Sequence, residues 1–213
     1  MRTLYHCFDA RSFRPLWALE ELGLDYELKM LPFPPRVRSR EYLAVNPLGT
    51  IPAFIEGETR MTESAAIAQY LADKYGRGTL GVAPDEPAYG AYLNWLHFGE
   101  ATLTFPQTLV LRYRRFEPDR APIAADDYAK WFAARVKAIA PALANEFICA
   151  GRFTAADISV GYAFLLSEQV GLFETLVPEA QAYWTRLKTR PGYAKARAAQ
   201  RAAAKAQGVG EGW

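Results

Sequence analysis

Cysteine and histidine are scarce in this chain, which has only two of each in 213 residues. Cys7 and Cys149 are too few for a disulfide framework, and no Cys-x-x-Cys pair or Cys/His cluster has the spacing of a metal site. The histidines, His6 and His97, are too few for a three-ligand zinc site. We therefore expect a protein without a metal ion, in the reducing cytoplasm.

Long apolar runs and an excess of one charge are missing as well. No segment approaches the roughly 18 consecutive apolar residues of a membrane span. The first ten residues lack the basic, apolar and small order of a signal peptide. The formal net charge is +2 with both signs interspersed, whereas a nucleic-acid-binding protein carries a one-sided basic face. We expect neither a membrane nor a nucleic acid as a partner.

Apolar and aromatic side chains are abundant, at 51% and 14% of the residues. This composition excludes a disordered chain and provides enough apolar surface for a core. The length suits one large domain or two modest ones.

The first 76 residues show strand and helix patterns in turn. Alternation of apolar and polar residues marks the strands, and glycines follow the helical stretches as stops. The predicted order is βαβ(α)ββα, with a parallel first pair joined by a right-handed crossover. We predict strands at Thr3–Phe8, Asp25–Leu31, Ile51–Ile55 and Thr59–Met61, and helices at Phe13–Leu22, at Arg40–Val45 and from Glu63-Ser64 to Gly76.

The rest of the chain shows no strand alternation. Residues 77–87 are rich in glycine and proline, as a linker is. We therefore predict two domains, an α+β domain over 1–76 and an all-α domain over 88–213. Pro106 and Pro141 fall inside helical windows and should kink or end them. The windows are Ala88–Tyr113, Ala125–Phe147, Thr154–Val170, Glu179–Thr189 and Gly192–Gln207.

The block from Asn46 to Phe54 reads Asn-Pro-Leu-Gly-Thr-Ile-Pro-Ala-Phe. A proline directly before a strand is a natural place for a cis bond, which turns the N–H and C=O of the preceding residue outward. Ile51 would then pair with the backbone of a peptide-like ligand. The alternative is that Pro52 merely begins a strand.

Glu63 and Ser64 stand at the start of a predicted helix. Ser64 suits an N-cap, which needs no function. A helix N-terminus with a hydroxyl also favours a carboxylate, and Glu63 beside it favours an ammonium. The pair would therefore suit the zwitterion of an α-amino acid.

Ser12 is the one hydroxyl in the loop Asp9–Pro15, just before a predicted helix. It can serve as an ordinary N-cap. Alternatively, the hydroxyl and the free N–H groups of a helix N-terminus can stabilise a thiolate and lower a thiol pKa from its usual value of about 8.5.

Thr154 and Asp157 have the spacing of a capping box, with Phe153 and Ile158 at the positions of a hydrophobic staple. Loss of such a cap costs about 0.5–2 kcal/mol. We assign this pattern to folding.

Together these motifs resemble the cytosolic glutathione S-transferases. Four blocks carry the resemblance in the family's order and spacing: LYHCFDARSFRPLWALEELGLDYEL, NPLGTIPAF, TESAAIAQYLADKYG and GRFTAADIS. The resemblance is closest to bacterial and fungal members. It covers nearly the whole chain and implies a thioredoxin-like N-terminal domain that holds glutathione, an all-helical C-terminal domain and a homodimer.

The resemblance also implies where glutathione binds. The cysteinyl backbone would pair with the residue before a cis proline, and the γ-glutamyl end would lie at the start of the following helix. A basic residue before the Asn-Pro block would hold the glycyl carboxylate; we favour Arg38, with Arg36 and Arg40 as alternatives. The implied binding residues are Arg38, Thr50, Ile51, Pro52, Glu63 and Ser64.

The residue that activates the thiol is less well defined by the resemblance. Where family members use a serine, its position often corresponds to Ala10 here. Ser12 is the nearest hydroxyl, and Tyr5, the Arg11 side chain and the loop amides are alternatives. Cys7 falls in a strand, which disfavours a mixed-disulfide mechanism.

The implied function is glutathione S-transferase activity in detoxification, in which the thiolate of glutathione attacks a hydrophobic electrophile between the two domains. The alternatives are a glutathione-dependent peroxidase, disulfide reductase or etherase on the same fold, or a non-catalytic glutathione-fold binding module. The residues expected near the electrophile, with core packing as the alternative, are Phe8, Tyr92, Leu96, Gly99, Leu103 and Pro106, with Phe33 or Trp213 nearby.

The last helical window carries a basic spacing. Because its apolar residues are mostly alanine, we interpret it as a solvated face rather than a membrane-binding one. The residues are Arg190, Lys195, Arg197, Arg201 and Lys205.

Overall fold

A four-stranded sheet organises the first part of the protein in a computed structural model that describes residues 1–212. β1 pairs with β2 in parallel, and β3 is antiparallel to both β1 and β4. This confirms the predicted thioredoxin-like order with its parallel first pair and its hairpin. The strands are β1 (Arg2–His6), β2 (Glu27–Met30), β3 (Ala53–Glu56) and β4 (Thr59–Met61), in the spatial order β2-β1-β3-β4.

Helices and loops form the rest of the described chain, and β3 and β4 are joined by a turn. Short 3-10 segments lie at Arg40–Ala44 and Phe173–Thr175, and π-helical segments at Gly99–Thr104 and Arg112–Phe116. The α-helices are α1 (Phe13–Glu21), α2 (Pro35–Arg38), α3 (Ser64–Tyr75), α4 (Tyr89–Phe98), α5 (Phe105–Leu111), α6 (Pro122–Ala138), α7 (Ala140–Leu143), α8 (Ala155–Gln169), α9 (Pro178–Lys188) and α10 (Pro191–Ala206).

Three of the four strands differ from the prediction at their ends: β2 is shorter, at Glu27–Met30 rather than Asp25–Leu31, and two others are displaced. β1 stops at His6, and the chain then turns back, since the Ala10 N–H donates to the Cys7 carbonyl (3.1 Å). β3 begins at Ala53 rather than at Ile51, because Pro52 has no N–H to give to the ladder. Both differences lengthen the loops that border the candidate site.

Prolines divide the long helical windows, as predicted. Pro106 lies in the first turn of α5, directly after the π-helical segment Gly99–Thr104, and Pro141 lies in the first turn of α7. Proline lacks the N–H that an α-helix needs and its ring clashes with the preceding turn, so the hydrogen-bond ladder changes or breaks there. The single window predicted for Ala88–Tyr113 is therefore α4, α5 and two π-helical segments.

The described chain forms two compact units by contact. One contains Met1–Gly81 together with the segment that begins at Thr189, and the other is Val82–Lys188. The division into residues 1–76, 77–87 and 88–213 stays a prediction about domains, but by contact α10 belongs to the unit of the sheet.

Two contacts hold α10 to α1 within the first unit. The rings of Trp17 and Tyr193 meet edge to face with their centroids 5.1 Å apart. Glu21 pairs with Arg190 at 2.8 Å, and their charges are mostly shielded from solvent. Aromatic packing and an ion pair thus hold the amino-terminal end of α10 against α1.

Candidate active site

One edge of the sheet collects the three segments that the sequence analysis singled out. The carboxyl end of β1 and the amino end of β3 meet there, because the strands are antiparallel and Tyr5 pairs with Ala53. β4 runs in the same direction as β1, so α3 begins at the same edge. The loop Cys7–Ser12, which we call the β1 loop, therefore shares this edge with Ile51 and with the start of α3.

The Ile51-Pro52 peptide bond is cis, as predicted. The main chain of Ile51 makes no hydrogen bond to any of residues 1–212. Its side chain is buried against Cys7 and Ala10, so the segment also contacts the β1 loop. An amide and a carbonyl without protein partners are thereby left at this edge of the sheet.

Asn46 shapes the block before this bond, and the sequence analysis missed its role. Its Nδ2 donates to the Thr50 carbonyl (2.8 Å), and its Oδ1 accepts from the Leu48 N–H (3.1 Å). The Tyr42 hydroxyl donates to the same Thr50 carbonyl (2.7 Å). Gly49 adopts a φ of +60°, which glycine takes without strain. The Asn-Pro-x-Gly spacing of a turn was the available signal.

The start of α3 presents a free carboxylate beside a buried hydroxyl. Ser64 is the first helical residue and Glu63 stands at the N-cap, so the interpretation of Ser64 as an N-cap is wrong. The Ser64 hydroxyl instead accepts a hydrogen bond from Arg14 Nη1 (3.1 Å), and both side chains are buried. Glu63 is exposed and its carboxylate has no hydrogen bond or ion pair within residues 1–212.

Three exposed arginines precede the Asn-Pro block. Arg36 lies directly against it, since a Cβ added at Gly49 would be 2.5 Å from the Arg36 Cβ. Arg38 is the last residue of α2, and Arg40 begins the 3-10 segment that follows. The choice of Arg38 for the glycyl carboxylate stays a prediction.

Ser12 is fully buried and its side chain faces Cys7. The Cys7 N–H donates to Ser12 Oγ (3.3 Å), and Ser12 Oγ donates to the Cys7 carbonyl (3.5 Å). The hydroxyl makes no cap hydrogen bond to α1. The Ser12 main-chain N–H, at the N-terminus of α1, has no acceptor within residues 1–212. Of the two donors of Ser12, the main-chain N–H is the one without a protein partner.

Tyr5 and Cys7 lie near this loop in one apolar cluster with Ile51. Tyr5 is half-buried, with its ring centroid 5.4 Å from that of Tyr42, and its hydroxyl has no hydrogen bond in the described part of the chain. Burial raises the pKa of Cys7 to about 12, so its thiol stays protonated at neutral pH. Cys7 is therefore a core residue and not a nucleophile.

The helical residues expected near an electrophile lie in the core of the second unit. Tyr92, Leu96 and Leu103 have no exposed surface, and Pro106 is buried. At Gly99, a Cβ would approach Ser159 Oγ to 2.5 Å, so this stripe packs tightly against α8. These side chains are buried by the packing of the second unit itself, so core packing is the correct interpretation for this stripe.

Phe8 and Phe33 lie in the first unit. Phe8 is 8% exposed and packs against Met30 and Ala204. Phe33 is half-buried and belongs to the cluster of Cys7 and Ile51. Trp213, the third aromatic residue of that prediction, lies outside the described residues.

A buried network that the sequence analysis missed joins the β1 loop to α10. Arg197 forms an ion pair with the Asp9 carboxylate, and Gln200 Nε2 donates to the same carboxylate oxygen (2.5 Å). Gln200 Oε1 lies 3.2 Å from the Asp9 main-chain nitrogen, which donates to it, and 2.9 Å from His6 Nε2. Burial lowers the pKa of His6 to about 4, with a further contribution from the Arg197 charge, so the ring is neutral at pH 7.

This network corrects the interpretation of the basic spacing on α10. The side chains of Arg197 and Arg190 are only 20% and 29% exposed, and each pairs with a carboxylate of the first unit. The other members, Lys195, Arg201 and Lys205, are exposed as predicted. Spacing within one helix could not show the difference, because the partners lie 188 and 169 residues away in the sequence.

The predicted capping box at the start of α8 is confirmed. Thr154 Oγ1 accepts from the Ala156 N–H (3.3 Å), and Asp157 Oδ2 accepts from the Thr154 N–H (2.8 Å). Asp157 Oδ1 also accepts from the Ile148 N–H (2.8 Å) and the Tyr183 hydroxyl (2.7 Å). Burial outweighs these donors and raises the pKa of Asp157 to about 6.

Within residues 1–212 no group of three or more His, Cys, Asp or Glu side chains could hold a metal ion. In the same residues no helix is long and apolar enough to cross a membrane. The groups left without protein partners at the sheet edge are amides, a carbonyl and a carboxylate, which suit a zwitterionic peptide.

Relatives of the chain share one family name. The domain family described as glutathione S-transferase, N-terminal domain, matches residues 2–73. Glutathione S-transferase 3 of Schizosaccharomyces pombe is 37% identical over 48% of this chain and 43% of its own length. Glutathione S-transferase A of Pleuronectes platessa is 30% identical over 90% of this chain and 88% of its own length.

A solved structure extends the similarity to the fold. The glutathione transferase URE2P6 of Phanerochaete chrysosporium, crystallised with oxidized glutathione, superposes with a TM-score of 0.83. It is 29% identical to this chain, and the superposition covers 95% of this chain and 97% of that one. The similarity covers nearly the whole length of the Pleuronectes platessa protein and of URE2P6, and the chain belongs to the glutathione S-transferase family.

Proposed function

We propose that this protein binds reduced glutathione at the edge of the sheet described above, holds its thiol as a thiolate and transfers it to a hydrophobic electrophile. The observation that carries the proposal is the convergence of three unsatisfied groups at one edge. They are the main chain of Ile51, the carboxylate of Glu63 and the main-chain N–H of Ser12.

Each of these groups matches one part of glutathione. The Ile51 amide and carbonyl would pair with the cysteinyl main chain, as an added strand pairs with a sheet edge. The Glu63 carboxylate would bind the γ-glutamyl ammonium, and the N-terminus of α3 at Ser64 would receive the carboxylate. Arg14 contributes by holding the Ser64 hydroxyl (3.1 Å) from α1.

The glycyl end requires a cation, and we assign it to Arg38. This residue is exposed in the last turn of α2, and no ion pair or hydrogen bond within residues 1–212 engages its guanidinium. Thr50, whose carbonyl is fixed by Tyr42 and Asn46, would contact the ligand beside Ile51. Pro52 ends this contact, since it has no N–H to offer.

Ser12 is the residue that we assign to thiol activation, through its main-chain N–H. A hydrogen bond from an amide at a helix N-terminus favours a thiolate over a thiol. Each lowering of the thiol pKa by one corresponds to about 1.4 kcal/mol of preference for the charged form. The Ser12 hydroxyl would act only indirectly, because it is buried against Cys7. Tyr5 is the alternative donor.

The transfer itself needs a thiolate and an electrophile held together. The sulfur donates an electron pair to an electrophilic carbon and a carbon–sulfur bond forms. The bond from that carbon to the leaving group breaks, and the leaving group departs with the two electrons of that bond. The thiol proton is released to solvent before the attack. Proximity of the two reactants contributes the remaining rate enhancement. A peroxide, disulfide or ether as the second substrate would use the same thiolate, and a binding module would bind glutathione without lowering its thiol pKa.

The test is a pH titration of the thiolate absorbance of bound glutathione, with calorimetry for affinity, on wild type, Ser12→Ala and Ser12→Pro. Ser12→Ala removes the hydroxyl and keeps the N–H, whereas Ser12→Pro removes both. The φ of −62° at Ser12 matches the φ of about −65° that proline requires. We expect a lowered thiol pKa in wild type and in Ser12→Ala, and its loss in Ser12→Pro.

Circular dichroism of Ser12→Pro checks that the variant is folded before its titration is interpreted. A lowered pKa that disappears in Ser12→Ala would assign activation to the hydroxyl instead. An unshifted thiol in the wild type would favour the binding module, and no binding at all would refute the proposal. In the same calorimetry, Arg38→Ala should weaken binding about tenfold, a loss of about 1.4 kcal/mol, and Arg36→Ala and Arg40→Ala are its matched controls.

We also propose a homodimer, on the support of family membership alone. Analytical ultracentrifugation at several concentrations tests it directly. A single species with the mass of one 23.8 kDa chain at all concentrations would refute it.

A further inference from the structure

Asp9 in the β1 loop has a main-chain conformation that calls for an explanation. Its φ is +52°, in the left-handed region that residues other than glycine enter rarely, although Asn, Asp and His do so several times more often than the rest. The residue is 4% exposed and lies three positions before Ser12. A non-glycine residue persists in this region where its surroundings hold it there.

The groups that hold Asp9 come from the other end of the chain. Its carboxylate receives Arg197 and Gln200 Nε2, and its main-chain N–H donates to Gln200 Oε1 (3.2 Å). One side chain thus contacts both the main chain and the carboxylate of the same residue. Gln200 is itself fully buried, and it is oriented by His6 Nε2 at 2.9 Å.

The positive and negative charges in this network balance. Arg197 supplies one positive charge and Asp9 one negative charge, while His6 is neutral because burial lowers its pKa. The Arg197 guanidinium also lies 5.7 Å from the ring centre of Phe8, in the β1 loop, and 5.9 Å from that of Phe13, the first residue of α1. The ion pair is 5% exposed on the Asp9 side, so solvent screens it little.

We propose that Arg197 and Gln200 of α10 are positioning residues, which clamp Asp9 and thereby hold the β1 loop with its Ser12 main-chain N–H directed at the sulfur of bound glutathione. The inference rests on the proposed function. It adds to that function a dependence of the thiol site on a helix 180 or more residues away in the sequence.

A positioning role and a purely structural role differ in one observable. If the network only stabilises the fold, its loss lowers the melting temperature and leaves the thiol of bound glutathione unchanged. If it directs the Ser12 N–H, its loss also raises the pKa of that thiol, because the amide moves off the sulfur and a hydrogen bond to the thiolate is weakened.

The experiment is the thiolate titration of bound glutathione on the full chain with Asp9→Asn, Arg197→Met and Arg197→Lys. Asn keeps the size and the left-handed preference of Asp while it removes the charge. Arg201→Met is the matched control, because Arg201 lies on the same helix, is exposed and has no partner within residues 1–212. We expect the thiol pKa to rise by about one in Asp9→Asn and Arg197→Met, a tenfold loss of thiolate below that pKa.

Arg197→Lys keeps the charge and loses the planar fork, so it should restore part of the shift, and it serves as the test if Arg197→Met does not fold. Arg201→Met should titrate like the wild type. A lowered thiol pKa in the wild type that is unchanged in Asp9→Asn and both Arg197 variants overturns this inference and leaves the proposed function intact. An unshifted thiol in the wild type and in Arg201→Met overturns both.

Discussion

Two four-residue segments of this protein carry an acid and a hydroxyl at the same spacing but in opposite order. They are Asp9-Ala10-Arg11-Ser12 in the β1 loop and Thr154-Ala155-Ala156-Asp157 at the start of α8. In the second, the Asp157 carboxylate accepts from the Thr154 N–H and the Thr154 hydroxyl accepts from the Ala156 N–H, which closes a capping box. In the first, Ser12 turns to the main chain of Cys7, and Asp9 turns to α10.

The difference teaches how a buried carboxylate can be satisfied. Asp157 is surrounded by neutral donors, the N–H groups of Ile148 and Thr154 and the hydroxyl of Tyr183, and burial raises its pKa to about 6. Asp9 has a guanidinium as its partner. The Asp157 arrangement closes the cap of α8, whereas the Asp9 arrangement joins the β1 loop to α10.

The largest effect should come from removing the acid of the capping box. Asp157→Ala leaves two buried N–H groups and the Tyr183 hydroxyl without their acceptor, and unsatisfied buried groups cost about 1–3 kcal/mol each. We expect the free energy of unfolding to fall by about 4 kcal/mol in urea denaturation.

The matched control is Asp119→Ala, an exposed acid of the same unit, which should change stability by less than about 0.5 kcal/mol. A similar small effect for Asp157→Ala would show that its donors find water or other acceptors. The contrast between the two segments would then disappear.

The buried histidine at the end of β1, His6, should make stability depend on pH. The pKa of His6 is lowered to about 4 from an ordinary 6.5, so the unfolded chain takes up the proton first and stability is lost as pH falls. We expect His6 to remove about 2 kcal/mol of stability between pH 7 and pH 5. Urea denaturation at both pH values, on wild type and His6→Gln, measures it.

Asp157 acts in the opposite direction over the same pH range. Its pKa is raised, so its contribution is greatest when it is protonated and declines as pH rises through about 6. The comparison of wild type with His6→Gln cancels this effect, because Asp157 is present in both. An identical pH dependence in the two proteins would mean that His6 is not held neutral.

The smallest effect should be the difference in stability loss between removing the Thr154 hydroxyl and removing the Ser12 hydroxyl. Thr154→Ala removes a helix cap and should cost about 1 kcal/mol. Ser12→Ala removes long hydrogen bonds of 3.3 and 3.5 Å to Cys7 and should cost about 0.5 kcal/mol. Thermal unfolding of the two variants side by side measures the order, and a larger loss for Ser12→Ala would reverse the assignment of roles.

Patterns within a few residues predicted much of this structure. The strand order, the cis bond before β3 and the capping box all follow from neighbours in the sequence, such as Pro52 before Ala53 and Asp157 three residues after Thr154. These features depend on local backbone chemistry, which a single sequence contains.

Contacts across the sequence were not predictable in the same way. Asp9 and Arg197 lie 188 residues apart, and each has an unremarkable local pattern. The apolar stripe that begins in α4 was equally consistent with a substrate-binding surface and with core packing. Periodicity identifies an apolar face of a helix but not what packs against it. Only the packing against α8 decided between them for Leu96 and its neighbours.

The contact of α10 with the sheet unit has a consequence for synthesis on the ribosome. The chain emerges from its amino terminus, so the strands of the sheet are complete once residue 61 has left the exit tunnel. Asp9 and Glu21 then remain without Arg197 and Arg190, which are synthesised 188 and 169 residues later. A nascent chain arrested before α10 therefore lacks the partners of Asp9 and Glu21, and the emergence of α10 supplies them.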